Sequence, residues 1–127
     1  MHHRTSIEEL TLVLAAELQS YSEEITEDIK DEVKKVAKDC VKQLKETSPE
    51  DSGEYKTGWK AKVETEGKNN LTMRVYNAKV PQRTHLLEFG HVNVDGGRTE
   101  GIPHIYPAQE KAKEALLEKA IIKVARK

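Results

Sequence analysis

The segment that decides the fold is SPEDSGEYKTGW, residues 48–59, because the spacing of apolar residues changes across it. From Ile7 to Leu44, upstream of the segment, apolar residues recur every three or four positions, which indicates one face of an α-helix. From Trp59 onward, apolar and polar residues alternate, as in a half-buried β-strand. The segment itself is rich in turn-forming residues. The sequence therefore predicts an α+β fold in which this turn joins a helix to a strand.

A long N-terminal helix is predicted over residues 6–46. Ser6 and Glu9 have the spacing of a capping box at its start. Such a helix would be about 60 Å long, whereas a compact domain of this size is roughly 36 Å across. The helix therefore either breaks near residues 20–22 or projects from the domain and packs against another subunit.

A β-hairpin is predicted over residues 56–77, with a turn at residues 66–70. Leu71, Met73 and Val75 share one face of its second strand. The opposite, charged face is expected to be exposed and carries Lys60, Lys62, Arg74 and Tyr76. Because a hairpin alone is marginally stable, helices are expected to cover its apolar face.

The C-terminal part of the chain is expected to complete a single domain, residues 1–127, around this small antiparallel sheet. A short helix is predicted over residues 84–90 and a glycine-rich loop over residues 93–101. A short returning strand is predicted over residues 102–106, and a second helix, opened by a proline, over residues 107–126. The short and C-terminal helices would pack on the sheet.

The composition is that of one small domain with a thin aliphatic core. Of 127 residues, 34% are charged and only 5% are aromatic. Cys40 has no second cysteine to pair with, and its place on the helical apolar stripe indicates a core residue. The sequence shows neither a signal-peptide pattern nor an apolar run of about 18 residues that could span a bilayer. We therefore expect the protein to act in the cytoplasm, or in a particle assembled there.

Charge is distributed unevenly along the chain, although the net charge is −1. Residues 1–54 carry 14 acidic and 7 basic side chains, residues 55–83 carry 2 and 7, and residues 84–127 carry 6 and 7. Such a chain can attract copies of itself head to tail, or a charged neighbour. Alternatively, the uneven distribution of charge is only the ordinary variation found on a solvent-exposed surface and has no functional meaning.

Four side chains could in principle form a metal site: His85, Glu88, His91 and His104. On a helix His85 and Glu88 share a face, but His91 would lie about 120° away. The H-E-x-x-H pattern of helical zinc sites is absent. We therefore interpret these four residues as polar side chains at the end of a helix and predict no cofactor. A metal-dependent enzyme that uses them is the alternative.

Other chemistry is not indicated by the remaining motifs. Ser48, Ser52 and Thr57 lack a His–Asp partner at a recognisable spacing. The glycines at residues 96–97 lack the pattern of a phosphate-binding loop. The basic hairpin could contact DNA without sequence specificity, although its basic excess is smaller than nucleic-acid binders usually show. An acidic neighbouring subunit is the alternative partner for that face.

Three segments in a fixed order carry a resemblance to a known family. They are residues 48–59, THLLEFGH at residues 84–91 and PHIYPA at residues 103–108, between a long charged helix and a terminal helix. Together they resemble the minor tail, or tail-completion, proteins of long-tailed bacteriophages and prophages. The resemblance implies a structural protein without enzymatic activity, which forms a ring in the neck of the virion. Its implied partners are copies of itself, the head connector and the tail-tube protein, joined during virion assembly in the host bacterial cytoplasm.

The resemblance also implies roles for individual residues. Gly53, Gly58 and Gly90 would permit tight chain reversals, and Trp59 and Phe89 would anchor the thin core. The loop at residues 93–101 would become ordered when a neighbour docks. The motif residues with implied structural roles are Gly53, Tyr55, Gly58, Trp59, His85, Leu86, Glu88, Phe89, Gly90, His91, Pro103, His104 and Pro107. The residues expected at an interface are Lys60, Lys62, Arg74 and Arg98.

Overall fold

The computed structural model describes residues 11–17, 21–49, 53–116 and 122–126. Its helices and strands, in chain order, are β1 Leu12–Glu17, α1 Glu23–Thr47, α2 Glu54–Thr57, β2 Trp59–Gly67, β3 Asn70–Asn77, α3 Thr84–Phe89, β4 Gly90–Val92, β5 Arg98–Glu100, α4 Ile105–Leu116 and β6 Ile122–Arg126. A 3₁₀ turn, Pro81–Arg83, leads into α3. The α+β fold, with its long helix, hairpin, short helix and C-terminal helix, is as predicted.

The main sheet is antiparallel, with its four described strands in the order β2-β3-β1-β6. The predicted hairpin forms β2 and β3, and β1 lies in the middle of the sheet, where Leu14 is opposite Met73. A second, two-stranded sheet joins β4 to β5, with Gly90 opposite Glu100. This small hairpin continues directly from α3.

The core lies between one face of the main sheet and the two longer helices. As predicted, the apolar face of β3 points into it, and Trp59 is buried at the start of β2. The main buried side chains are Leu12, Leu14, Val33, Ala37, Cys40, Leu44, Leu71, Met73, Val75, Ala108, Ala112 and Leu116. Burial raises the pKa of the Cys40 thiol to about 12, so this cysteine is an unreactive core residue at neutral pH.

The predicted helix over residues 6–46 is wrong in its first part. Residues 12–17 form β1, and α1 begins at Glu23, where the Ser22 hydroxyl accepts the N–H of Ile25 at 3.2 Å. Residues 12–16 are a continuous apolar run, which suits a strand in the middle of a sheet better than one face of a helix. The remaining helix of 25 residues is about 37 Å long. It therefore fits a compact domain without projecting; the predicted capping box lies outside the described residues.

The C-terminal predictions also need correction. The helix expected over residues 107–126 is α4, which ends at Leu116, and residues 122–126 form the edge strand β6. The apolar residues from 116 to 124 fit both a helical and an alternating spacing, and pairing with β1 selects the strand. The returning strand expected at residues 102–106 does not form, because α4 already begins at Ile105. A short strand, β5, lies instead within the predicted loop.

Candidate functional site: a buried polar cluster

Residues from all three motif segments meet in one buried cluster. Tyr55 comes from α2, Glu88 from α3, and His104 from the position just before α4. Each of these residues is 2% exposed or less. The Tyr55 hydroxyl lies 2.5 Å from Nε2 of His104, and Nδ1 of His104 lies 3.0 Å from Oε1 of Glu88. Three motifs that are far apart in the sequence therefore each contribute one residue to the same buried cluster.

Glu88 caps a helix to which it does not belong. Its Oε1 accepts the backbone N–H groups of His104 and Ile105, both at 2.7 Å, and its Oε2 accepts that of Tyr106 at 2.9 Å. N–H groups at a helix start have no partner within the helix, and the positive end of the helix dipole favours a carboxylate there. Burial alone raises the pKa of Glu88, but the hydrogen bonds from the His104 side chain and the three backbone groups outweigh it and lower the pKa to about 2. The ionised carboxylate thus ties α3 to α4.

Both ring nitrogens of His104 have hydrogen-bond partners. Nδ1 faces two acceptors, the carboxylate of Glu88 and the carbonyl oxygen of Ile102 at 2.8 Å, so it carries the proton. Nε2 then accepts the hydroxyl of Tyr55. Burial raises the pKa of Tyr55, and the negative charge of Glu88 raises it further, so the phenol stays protonated and donates. Together these contacts hold the ring of His104 in one orientation.

The indole of Trp59 connects this cluster to the end of α1. Its Nε1 donates to Oγ of Ser48 at 2.8 Å, and its ring packs edge-on against Tyr55 at a centroid distance of 5.4 Å. Trp59 is buried, as the anchor role requires. Ser48 and Trp59 are the two ends of the segment SPEDSGEYKTGW, and their contact fixes the turn between helix and strand.

Gly90 and Gly101 let the backbone of the small hairpin pass close to Glu88. Gly90 has a φ of +82°, and a Cβ there would lie 2.4 Å from the carbonyl oxygen of Thr99. A Cβ on Gly101 would lie 2.5 Å from the carbonyl oxygen of Glu88. The predicted role of Gly90 in a tight reversal agrees with this geometry; Gly101 was not identified from the sequence.

Asn77 is a second residue that the sequence did not single out. Its Nδ2 donates to the carbonyl oxygen of Tyr55 at 2.7 Å, and its Oδ1 accepts the N–H groups of Lys79 at 3.2 Å and Val80 at 3.0 Å. Asn77 follows Val75 on the inward face of β3, where the other residues are apolar. A polar residue at this position was the one feature of the sequence that could have indicated its structural role. It fixes α2 against the end of β3.

Several motif residues lie around the cluster rather than in it. Gly53 has a left-handed φ of 83° just before α2, and Gly58 follows that helix with an ordinary φ of −85°. Pro103 precedes His104, and Pro107 lies in the first turn of α4. These positions are consistent with turn and helix-entry roles.

The four candidate metal ligands are not brought together. Glu88 and His104 form the buried cluster, whereas His85 packs against the ring of Phe89 at a centroid distance of 4.9 Å. His91 lies on β4, and its buried Nδ1 has no hydrogen-bond partner. Within the described ranges, no group of three or more His, Cys, Asp or Glu side chains could hold a metal ion.

The expected core role of Phe89 is wrong. Phe89 is 42% exposed, because α3 turns the side chain of its neighbour Glu88 inward and places Phe89 on another side of the helix. It is one of several exposed apolar side chains on α3, on the β4–β5 hairpin, and on the segment that leads into α4 and its first turn. These residues are here called the α3–hairpin surface and are Leu86, Phe89, Val92, Val94, Ile102 and Tyr106. Arg98 lies beside it and donates to the carbonyl oxygen of Phe89 at 2.9 Å.

The second notable surface lies on the face of the sheet that points away from the helices. It is called here the outer β2–β3 surface and is formed by Lys60, Lys62, Glu64, Arg74 and Tyr76. The ammonium of Lys62 lies 5.0 Å from the ring centroid of Tyr76. Arg74 makes two hydrogen bonds to the carboxylate of Glu64, and these bonds raise the pKa of the arginine. As predicted, Lys60 and Lys62 are exposed, whereas Arg74 and Tyr76 are half-buried.

The family model for "Bacteriophage HK97-gp10, putative tail-component" matches residues 13–90, and the chain belongs to this family. The match runs from β1 to the end of α3 and so includes Tyr55, Trp59 and Glu88. No curated protein and no solved structure gives a significant match.

Membership of this family gives the chain a structural role as a component of a phage tail, and hence a place in the virion. None of the helices in the described ranges is long and apolar enough to cross a membrane.

Proposed function

We propose that this protein completes the end of the phage tail and joins it to the head connector as one subunit of a ring. It acts structurally, without catalysis, in the neck of the virion, and is assembled in the host bacterial cytoplasm. Its partners are copies of itself, the head connector and the tail-tube protein. The family supports a tail component, and the α3–hairpin surface supports an assembly role.

The exposure of that surface is the observation that carries the proposal. Val92 is 70% exposed on β4, which follows α3 directly, and Ile102 is 55% exposed and donates its N–H to the carbonyl oxygen of Leu87 in α3 at 2.8 Å. Exposed apolar side chains that are concentrated on neighbouring elements are unfavourable in water and often mark a contact with another protein. Burial in the assembled neck would remove it from water.

The buried cluster explains how this surface is held in place. Glu88 joins α3 to the start of α4, and the contact of Gly101 with Glu88 keeps the small hairpin against α3. A surface held rigidly before docking loses less conformational entropy on binding. The cluster thus supports assembly indirectly, by preorganising the surface that docks.

Deletion of the gene from a phage or prophage, followed by electron microscopy of the lysate, tests this function. We expect DNA-filled heads beside separate, complete-looking tails. Heads without any tails would place the protein earlier, in tail assembly. Intact infectious particles would contradict the proposal.

A matched pair of variants tests the surface itself. Val92→Asp adds a charge to the α3–hairpin surface, and we expect it to fail to restore infectious particles when supplied to the deletion strain. Ala115→Asp is the control, because Ala115 is also exposed but lies on α4. Equal restoration by both variants would remove the α3–hairpin surface from the proposal.

A further inference from the structure

The outer β2–β3 surface is basic and preorganised. Lys60 and Lys62 are exposed on it, and the pairing of Arg74 with Glu64 leaves the two lysines as its unbalanced charges. The helices α1 and α4 pack on the other face of the sheet. The stacking of Lys62 over Tyr76 limits the motion of that side chain, so less entropy is lost when a partner binds.

A complementary acidic surface lies on the opposite side of the same domain. Glu24, Asp28 and Asp31 are exposed on α1 and follow one another at spacings of four and three residues. At 100° per residue they share the face of the helix opposite to Val33, which is buried against the sheet. The basic residue in this stretch, Lys30, is only 3% exposed and donates to the carbonyl oxygen of Gly67 at 2.6 Å. It therefore does not offset Glu24 and Asp28 on the outer face of α1, whereas Lys35 is exposed on the same face one turn beyond Asp31.

The two surfaces lie at opposite ends of the domain as well as in opposite layers. The contact of Lys30 with Gly67 places the acidic half of α1 at the turn end of the β2–β3 hairpin. Lys60 lies at the other end of β2, and the seven residue steps from it to Gly67 span about 23 Å. One copy therefore cannot join its own two surfaces. Contact between copies would be head to tail, and such a contact closes into a ring when its rotation permits.

We propose that the outer β2–β3 surface binds the acidic N-terminal half of α1 from a second copy of this chain. The inference rests on the proposed ring and names the surfaces that form it. A second copy fits better than DNA because Glu64 lies within the basic surface, and because the chain itself carries the matching acidic face. Positive side chains on an edge strand can also serve to prevent strand pairing, and the charge exchange below separates that role from binding.

Two charge-reversed variants test the contact in purified protein at low ionic strength. K60E/K62E makes the sheet surface acidic, and D28K/D31K makes the helix surface basic. Each variant alone should self-associate about tenfold more weakly than the unchanged protein, because like charges then face each other. An equimolar mixture should associate again, because each variant supplies the surface that the other lacks. One chain carrying all four changes should also recover.

The control is K111E/K113E, which makes the same change of charge at exposed positions of α4. It should associate like the unchanged protein. Sedimentation velocity measures association, and thermal unfolding followed by circular dichroism checks that each variant is folded. High salt should weaken the association of the unchanged protein.

Several results would overturn the proposal. These are undiminished association of K60E/K62E, a mixture that fails to recover, or an unchanged protein that stays monomeric at low salt. Binding of duplex DNA that K60E/K62E abolishes, with no recovery in the four-change chain, would assign the surface to DNA instead. These measurements use purified protein and test only the contact between copies. The deletion experiment separately tests the proposed position in the neck, so the two proposals can fail independently.

Discussion

Glu88 and Phe89 are neighbours in the chain but belong to different regions of the molecule. Glu88 is 2% exposed and has both carboxylate oxygens engaged, whereas Phe89 is 42% exposed and faces outward. One sequence motif therefore serves two purposes: one residue holds the domain together and the next belongs to the surface proposed to dock. The difference shows that neighbouring residues of one motif can have different roles. Burial distinguishes those that stabilise the fold from those that are available to contact a partner.

Replacement of the two aromatic residues should give the largest contrast between the regions. Trp59→Ala leaves a cavity and removes the bond to Ser48, so we expect a loss of about 3–5 kcal/mol in the free energy of unfolding. Phe89→Ala should cost less than about 1 kcal/mol, because the ring is partly in solvent, yet should impair restoration of infectious particles. Urea unfolding measures the first quantity. A Trp59→Ala protein with unchanged stability would break the comparison.

Glu88→Gln sharpens the comparison at the carboxylate. The variant keeps the shape but removes the charge and one acceptor, so a backbone N–H at the start of α4 loses its partner. We expect a loss of about 1.5–3 kcal/mol, the range for hydrogen bonds to charged groups. Glu114→Gln, at an exposed position of α4, is the control and should be neutral. Equal stability of the two variants would contradict the capping role of Glu88.

The same carboxylate predicts how stability depends on pH. The pKa of Glu88 is lowered in the folded protein, from an ordinary value of 4.5 to about 2. Its contribution is therefore complete above about pH 4.5 and is lost as the pH falls towards 2. Urea unfolding between pH 5 and pH 2 should show a smaller fall for Glu88→Gln than for the unchanged protein. Parallel falls would mean that other groups determine the acid sensitivity.

Tyr55→Phe should have the smallest effect. It removes only the hydroxyl that donates to Nε2 of His104, so we expect a loss of about 1 kcal/mol. Tyr76→Phe, on the outer β2–β3 surface, is the matched control and should leave stability unchanged. If Tyr55→Phe were also neutral, the aromatic packing alone would account for the burial of Tyr55.

In the parts of the fold that were predicted correctly, the spacing of apolar residues fits only one kind of secondary structure. The apolar stripe of α1 and the alternation of β3 fit only one kind of element, and both are confirmed. Strands β1 and β6 were missed because their apolar residues also fit a helical spacing, and their pairing partners lie far away in the chain. Long-range pairing overrides local preference, and a single sequence carries no direct signal for it.

The candidate cluster was only partly predictable. Tyr55, Glu88 and His104 stood out as motif residues, but their contacts join positions up to 49 residues apart. The spacing along the chain therefore suggested metal ligands, whereas the fold uses Glu88 and His104 to hold the start of α4. Asn77 was not predicted because its hydrogen-bond partners are backbone groups, which are the same in every sequence and give no pattern to recognise.

The position of β1 has a consequence for how the protein is made. This strand pairs with β3 on one side and with β6 on the other, and Leu12 is opposite Arg126. The ribosome therefore produces β1 long before the strand that covers its second edge. We expect the sheet to close only after synthesis of β6, so that a nascent or prematurely terminated chain exposes an open strand edge. Such contacts between distant residues also slow folding, so completed subunits would become available for assembly only with a delay after translation.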